Sequence, residues 1–233
     1  VIKILIPTYN EAKNIAGIIA SIRSAIPEAH ILVIDDSSPD GTGAIVEELA
    51  KNTSCINLLS RKGKEGLGKA YLHGFQETLK NSDVTHLVMI DADFSHDPEY
   101  LPQMIEAAKS RELVIGSRYI KGGATEGWED WRRYLSSGGN LYSRLITGMP
   151  IHDTTSGFNV IATDALRRID LEKLGSSGYA FQIELKYMLW KAGVIPLEIP
   201  ILFKNRREGE SKISNHIIAE GLIAPWKLKL RHQ

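Results

Sequence analysis

The chain has 233 residues, 43% of them hydrophobic and 24% charged, with 28 basic and 28 acidic side chains and a formal net charge of zero. That is enough for one large or two small domains with a substantial core, in a composition ordinary for a soluble globular protein. Zero net charge argues against nucleic acid as a partner, and a single cysteine, Cys55, excludes an intramolecular disulfide and a cysteine-rich zinc site.

The first predicted element is a strand over residues 2–6, which starts the chain with no signal-peptide pattern and closes at Pro7-Thr8-Tyr9-Asn10-Glu11. A helix follows with Ile15, Ile18, Ile19, Ile22 and Ile26 on one stripe, and Asn10 or Thr8 is placed to cap it. Residues 30–34 form a second strand, ending in Asp35-Asp36-Ser37-Ser38-Pro39-Asp40-Gly41-Thr42, and a second helix spans 43–51. Cys55 opens a third strand, where it reads as a small buried hydrophobe. A loop rich in lysine and glycine (61–69) leads to a helix ending near Leu79, and Leu87-Val88-Met89-Ile90 is a fourth strand buried on both faces. Short strands alternating with helices predict right-handed βαβ units and a Rossmann-like, mostly parallel central sheet with flanking helices.

The fourth strand stops at two carboxylates one residue apart, Asp91 and Asp93. In open α/β sheets, ligands bind outside the carboxyl ends of the strands. If strand geometry persists, the two side chains point the same way, and such like charges call for a cation, a basic partner or a proton. Hard oxygen ligands there suit Mg²⁺ or Mn²⁺ held together with substrate phosphates. The structural alternative is a solvated strand end, with Asp97 capping a helix that begins at Pro98. Asp35 and Asp36 are turn formers or acceptors for ribose hydroxyls or a base edge. No Gly-x-Gly-x-x-Gly follows the first strand and no Walker loop is present, which argues against dinucleotide-dependent oxidoreductases and P-loop enzymes.

Further on, Leu113-Val114-Ile115 is strand-like and brings Arg118 to the same sheet edge. A helix-like segment over 128–145 sets Arg132 and Ser136 one turn apart, facing the same way. Its Trp128, Trp131, Tyr134 and Tyr142 suit a boundary between apolar and wet surroundings, or core packing; Arg132 and Arg133 could equally snorkel from an amphipathic helix. His96 and His152 have no metal-ligand partner at suitable spacing and read as structural. Residues 195–203 form a strand, and 213–230 are apolar and basic. With seven Lys/Arg against three acids over residues 201–233, that end fits an interfacial helix against anionic headgroups, or a helix packed on the domain. No apolar run approaches the roughly 20 residues that cross a bilayer, so the expected setting is cytoplasmic, soluble or peripheral.

Pro7-Thr8-Tyr9-Asn10-Glu11, Val33 through Thr42, Asp91-Ala92-Asp93, Ile115-Gly116-Ser117-Arg118-Tyr119, Asp153-Thr154-Thr155-Ser156-Gly157-Phe158, Gly178-Tyr179-Ala180-Phe181-Gln182 and Gly209-Glu210-Ser211-Lys212 occur in that order. The set resembles family 2 glycosyltransferases of the GT-A fold, in particular dolichol- or polyprenol-phosphate mannose synthases, over nearly the whole chain. The resemblance implies a single GT-A domain over 1–233, with a nucleotide-binding half (1–117), an acceptor-binding half (118–210) and a C-terminal amphipathic, basic segment (211–233). It implies transfer of mannose from GDP-mannose to the phosphate of a dolichol or polyprenol monophosphate, with inversion and with Mg²⁺ or Mn²⁺ as cofactor. On it, Pro7, Tyr9, Glu11, Ile34 and Asp36 hold the guanosine. Asp91, Ala92 and Asp93 lie against the diphosphate and sugar, with Asp93 the leading metal ligand, Asp91 beside it, and Ser95 where some relatives supply a further ligand. Arg118, Arg132 and Ser136 receive the lipid phosphate, while Arg206 and Lys212 reach the donor phosphates; Asp91, Asp93 and Arg118 carry catalysis. Implied partners are the cytoplasmic face of a membrane and a membrane-anchoring protein.

The chemistry suits these residue types. A leaving diphosphate needs its growing charge stabilised, and a phosphate acceptor, largely ionised near neutrality, needs no general base. A UDP-sugar donor such as UDP-glucose and a non-catalytic nucleotide-sugar-binding subunit are the alternatives. A nucleotidyltransferase should carry a glycine-rich basic signature after the first strand, which is missing.

Overall fold

The computed structural model describes residues 1–176, 178–205 and 215–231. The chain begins β1 (Ile2–Thr8), α1 (Ile15–Ala25), β2 (His30–Asp35), α2 (Thr42–Lys51), β3 (Ile56–Ser60), α3 (Leu67–Leu79), β4 (His86–Met89), α4 (Leu101–Ala108) and β5 (Leu113–Ser117). It continues with β6 (Ala124–Thr125), α5 (Asp130–Thr147), β7 (Asn159–Ala162), α6 (Thr163–Arg167), α7 (Gly178–Lys191), β8 (Pro196–Pro200), β9 (Leu202–Phe203) and α8 (Asn215–Arg231).

The main sheet has the order β3-β2-β1-β4-β7-β5-β8. Its pairings are parallel except for those of β7, which lies antiparallel between β4 and β5. After β3 the chain returns past β1 to build β4, so the strand order reverses between β1 and β4, where α/β sheets open a ligand crevice.

Side chains alternate across each strand, and both faces are covered. On one face Ile4, Ile6, Val33 and Val88 meet α1, α2 and α4; on the other Leu5, Ile34 and Met89 meet Tyr71 and Phe75 of α3 and Phe181 of α7. The isoleucine stripe of α1 is inward, with Ile15, Ile18, Ile19 and Ile22 all buried. Each such side chain contributes about 1.5–3 kcal/mol of burial.

Three local expectations change. The N-cap of α1 is Asn14, without a side-chain capping bond; Asn10 instead has φ of 62° and gives its N–H to Ser38 Oγ. Residues 195–203 divide into β8, which extends the main sheet, and β9, which pairs with β6. Pro200, which has no N–H, is the last residue of β8, and Ile201 lies between the two strands. The third change concerns Asp91 and Asp93. The strand ends at Met89 and Phe94 takes φ of 62°, so strand geometry does not persist through Asp91 and Asp93. α8 packs on α5 and α7, and among the described residues no helix is long and apolar enough to cross a membrane.

Candidate active site

Among the described residues, three that are not glycine adopt left-handed backbone: Asn10 (φ 62°), Ser37 (54°) and Phe94 (62°), each past the end of β1, β2 or β4. Such conformations persist only where surrounding structure over-determines them, and they cluster at functional edges. Here the determinants are visible. Asp35 accepts from Thr8 Oγ1 at 2.8 Å, Ser38 Oγ at 2.6 Å and Ser38 N–H at 2.9 Å, which locks the ends of β1 and β2 together. Asp40 accepts from Ala12 N–H and Thr42 Oγ1, and Thr42 Oγ1 accepts from Glu11 N–H. Phe94 lays its ring over Gly17 of α1, where an added Cβ would come within 3.2 Å of Cζ.

Asp36, expected at the nucleoside, is buried and paired through Oδ1 with the equally buried Arg61, whose other arm reaches Glu65 at 2.5 Å. Arg61 follows β3 directly, on the same sheet edge, a position that no motif marks in the sequence. Tyr9 lies on this rim with Lys64 Nζ 4.1 Å from its ring centroid. Glu11 accepts from Asn14 Nδ2 at 2.8 Å, and Pro7 is half-buried in register with Ile34. The Ile34 side chain is buried under Gly74 of α3, so only its backbone can meet a ligand.

Asp93 is buried, its Oδ1 accepting from Ser95 N–H at 2.9 Å, whereas the Asp91 side chain is 35% exposed. Ala92 and Ser95 are buried, and Ser95 holds the turn through its backbone, its carbonyl accepting from Lys204 N–H at 3.2 Å. His96 Nδ1 lies 3.6 Å from Asp91 Oδ2, and the ring packs on Phe158 and Phe203. Burial pulls the His96 pKa down to about 4, with Arg118 acting in the same direction and Asp93 and Asp153 opposing. The imidazole is therefore neutral at pH 7 and brings no positive charge to Asp91.

Arg118 follows β5 and is buried. Its Nε and Nη2 donate to the two oxygens of Asp153 at 2.7 Å each, and Nη2 also reaches Thr155 Oγ1 at 2.8 Å. Burial pushes the Asp153 carboxyl up, but Arg118 outweighs it and holds the pKa below the usual range. The Trp128 indole gathers two cations, with Arg132 at 4.2 Å and Arg118 at 5.7 Å from its centroid. Ser136 accepts from Tyr119 Oη at 2.6 Å. Arg118, Arg132 and Ser136 are thus brought together around Trp128 and Tyr119. Arg206 and Lys212 lie outside the described residues; the chain leads toward them from Lys204, whose Nζ binds Asp97 at 2.9 Å.

Several residues that organise this side carried no role in the sequence reading. Asn140 of α5 accepts from Thr154 Oγ1 at 2.8 Å and donates to Thr155 Oγ1 at 3.1 Å, and Glu198 of β8 accepts from the N–H groups of His152 and Asp153. Lys186 of α7 is buried and gives Nζ to Ser156 carbonyl at 2.7 Å. Burial lowers its pKa to about 7, reinforced by Arg118 and opposed by Asp153 and Glu198. Asp153 stands inside a quoted motif and could have been singled out; Lys186, flanked by apolar helix residues, left no trace.

The acidic turn after β4 and Arg118 after β5 lie on one edge of the sheet. The model of glycosyl transferase family 2 matches residues 3–170. The chain belongs to glycosyltransferase family 2. Relatives within reach of the whole chain include an undecaprenyl-phosphate mannosyltransferase of Micrococcus luteus, 40% identical over 97% of this chain and 94% of that one. A polyprenol monophosphomannose synthase of Mycolicibacterium smegmatis is 42% identical over 98% of this chain and 87% of its own length. Among solved structures, glucosyl-3-phosphoglycerate synthase of Mycobacterium tuberculosis with Mn²⁺, UDP-glucose and glycerol 3-phosphate superposes with a TM-score of 0.67 at 17% identity, covering 98% of this chain and 79% of that one. The same enzyme with Mn²⁺, UDP and phosphoglyceric acid gives 0.69 at 17% identity, over 98% and 78%. At that identity the likeness is one of fold, the GT-A arrangement of a family 2 glycosyltransferase.

Proposed function

We propose that this enzyme transfers mannose from GDP-mannose to the phosphate of a polyprenol monophosphate such as dolichol phosphate, with inversion at the anomeric carbon and dependence on Mg²⁺ or Mn²⁺. The observation that carries the reading is the identity of 40% and 42%, over nearly the full chain, to proteins named for mannosyl transfer to polyprenol phosphate. The site supports it, because an acidic turn and an arginine cluster on one edge suit a donor diphosphate and an acceptor phosphate. Residues 1–117 serve the donor, 118–210 the acceptor and 211–233 the membrane side, with Pro7, Tyr9, Glu11 and Asp36 at the nucleoside. Working on a lipid, the enzyme acts peripherally at a membrane surface, on its cytoplasmic face, with room for an anchoring partner protein.

The donor set fits a divalent ion. Asp91 and Asp93 offer hard oxygen ligands, with Ser95 beside them, and among the described residues no group of three or more His, Cys, Asp or Glu side chains is arranged to hold an ion. Two carboxylates that share an ion with substrate phosphates match the habit of Mg²⁺ and Mn²⁺. When bound, the ion supplies Lewis-acid stabilisation to the departing diphosphate. The chain's own residues do the rest. Arg118, held in one orientation by Asp153, and Arg132, held on Trp128, fix the acceptor phosphate by charge-assisted hydrogen bonds, with Ser136 beside them. A phosphate oxygen attacks the anomeric carbon as the bond to the diphosphate oxygen breaks, and GDP leaves carrying the electron pair. The phosphate monoester is already ionised, so no proton has to be removed. Arg206 and Lys212 add positive charge to the leaving group in this proposal.

Calorimetric titration of GDP-mannose and UDP-glucose with Mn²⁺ present separates the donors, and a short-chain polyprenyl phosphate is then added. The account expects tighter binding of GDP-mannose and release of GDP on adding acceptor. Tighter UDP-glucose binding would replace mannose, and binding without GDP release would make the chain a non-catalytic subunit.

A further inference from the structure

Lys186 is the buried charged side chain that the proposed reaction leaves unused. It sits on α7, 1% exposed, with Nζ on the Ser156 carbonyl at 2.7 Å and on Gln182 Oε1 at 3.5 Å. Both acceptors are neutral, and among the described residues no carboxylate pairs with the amine. A lysine buried in this way costs stability, because its charged form leaves water without meeting a counter-ion. Its surroundings show what that cost serves. Ser156 belongs to the segment 153–158, whose first residues hold Arg118. Asp153 takes bonds from Nε and Nη2 of the guanidinium, and Thr155 Oγ1 takes another from Nη2. Ser156 Oγ ties the same segment to the Gly116 carbonyl of β5 at 2.6 Å. Lys186 therefore braces the loop that fixes the arginine. The charges that act on the amine are Asp153, Arg118 and Glu198 of β8, and the amine acts in turn on the neutral His96. Arg118 is already cancelled by its bidentate partner. With Lys186 neutral, these four groups (Arg118, Asp153, Glu198 and Lys186) carry a surplus negative charge, and with Lys186 protonated they balance.

We propose that Lys186 is a positioning residue that makes the acceptor site select a phosphate monoester dianion. It braces the segment holding Arg118 and supplies the positive charge that Asp153 takes from the arginine. The proposal rests on the acceptor-phosphate reading of Arg118. Burial brings the Lys186 pKa to about 7 in the free protein, so the amine is largely neutral near pH 8. A dianion at Arg118 favours the ammonium form and draws a proton onto Nζ. As the new bond from phosphate oxygen to the anomeric carbon forms, the phosphate becomes a singly charged diester and the electron pair leaves with GDP. The proton on Lys186 then returns to solvent. Substrate is held more firmly than product, and the change of charge helps the product leave.

The test is calorimetric titration of the full chain, without donor and near pH 8, with a short-chain polyprenyl monophosphate and with its methyl phosphodiester. Runs in buffers of different ionisation heat give the protons taken up per ligand bound. Wild type is expected to take up roughly half a proton or more with the monoester and almost none with the diester. It should also bind the monoester about tenfold tighter than the diester. In Lys186→Met, and in Lys186→Gln, which keeps a neutral N–H, the uptake should vanish and the preference fall below about threefold. Loss of packing alone moves neither quantity, and the wild-type uptake is measured without any variant. No uptake in wild type overturns the proposal. So does undiminished uptake in the variants, or an equal loss of affinity for both ligands. Failure of the monoester to bind removes the acceptor reading together with this one. Proton-linked binding with no GDP release on adding GDP-mannose leaves the role of Lys186 standing and removes sugar transfer alone.

Discussion

The two sides of the site are built by different means. On the proposed donor side, acids tie the strand-end turns together by local bonds, as when Ser95 N–H meets Asp93 or Ser38 meets Asp35, and by long-range ones, as when Thr8 meets Asp35 and Arg61 meets Asp36. On the acceptor side, groups are set by partners far off in sequence: Arg118 on Asp153, 35 residues away, and Lys186 on Ser156, 30 residues away. Among the described residues the left-handed non-glycine backbone falls on the proposed donor edge, at Asn10, Ser37 and Phe94, while each edge holds a buried ion pair, Arg61–Asp36 on one and Arg118–Asp153 on the other. The short turn at Asp93 can yield, whereas the buried pair with Asp153 holds the Arg118 guanidinium still. The difference teaches that Asp93 should be separable from stability and the Arg118–Asp153 pair should not.

The strongest challenge to that contrast is Asp153→Ala. It leaves the Arg118 charge buried without its carboxylate and should lower unfolding free energy by about 3–5 kcal/mol in denaturant melts. A loss under about 1 kcal/mol would mean that the pair does not organise the acceptor side. Asp93→Asn should do the reverse. Turnover should fall by about a hundredfold to a thousandfold while the melting temperature stays within a degree or so of wild type. Near-normal turnover would remove Asp93 from the metal proposal. Trp128→Ala tests how the arginines are held. Losing the ring shared by Arg118 and Arg132 should raise the acceptor KM by about tenfold, at roughly 1–2 kcal/mol, and leave the donor KM unchanged.

The smallest effect concerns Lys186. Its folded pKa, about 7, lies below the ordinary lysine value of 10.5. Between those values the unfolded chain binds the extra proton, so stability rises with pH. Relative to Lys186→Met, wild type should therefore gain about 1 kcal/mol from pH 7 to pH 8. A flat difference would show that the buried amine keeps its proton across that range.

The same contrast governs what could be read in advance. The strands of the nucleotide half, the isoleucine stripe of α1 and the acids after β2 and β4 were legible because hydrophobic runs and turn residues act over a few positions. Strand geometry was extended too far at Asp91 and Asp93, because nothing local announces that Phe94, anchored over Gly17, turns the chain. On the acceptor side, Arg118 and Asp153 each stood out in a motif, yet their pairing is a tertiary fact. Helix α5 was expected, but not that its buried residues are the polar Asn140, Ser143 and Thr147, because periodicity gives an apolar stripe without saying whether core or solvent lies beneath it. The antiparallel placement of β7 was hidden for the same reason, since a short apolar strand reads alike in either direction.

The central claim is sugar transfer to a lipid phosphate at the edge shared by Asp93 and Arg118. Its most direct test is incubation with sugar-labelled GDP-mannose, Mn²⁺ and short- and long-chain polyprenyl phosphates, followed by organic extraction. The account predicts label in an acid-labile lipid, abolished by chelation and by Asp93→Asn. Label that stays wholly aqueous with every acceptor, while donor binding is intact, would contradict it.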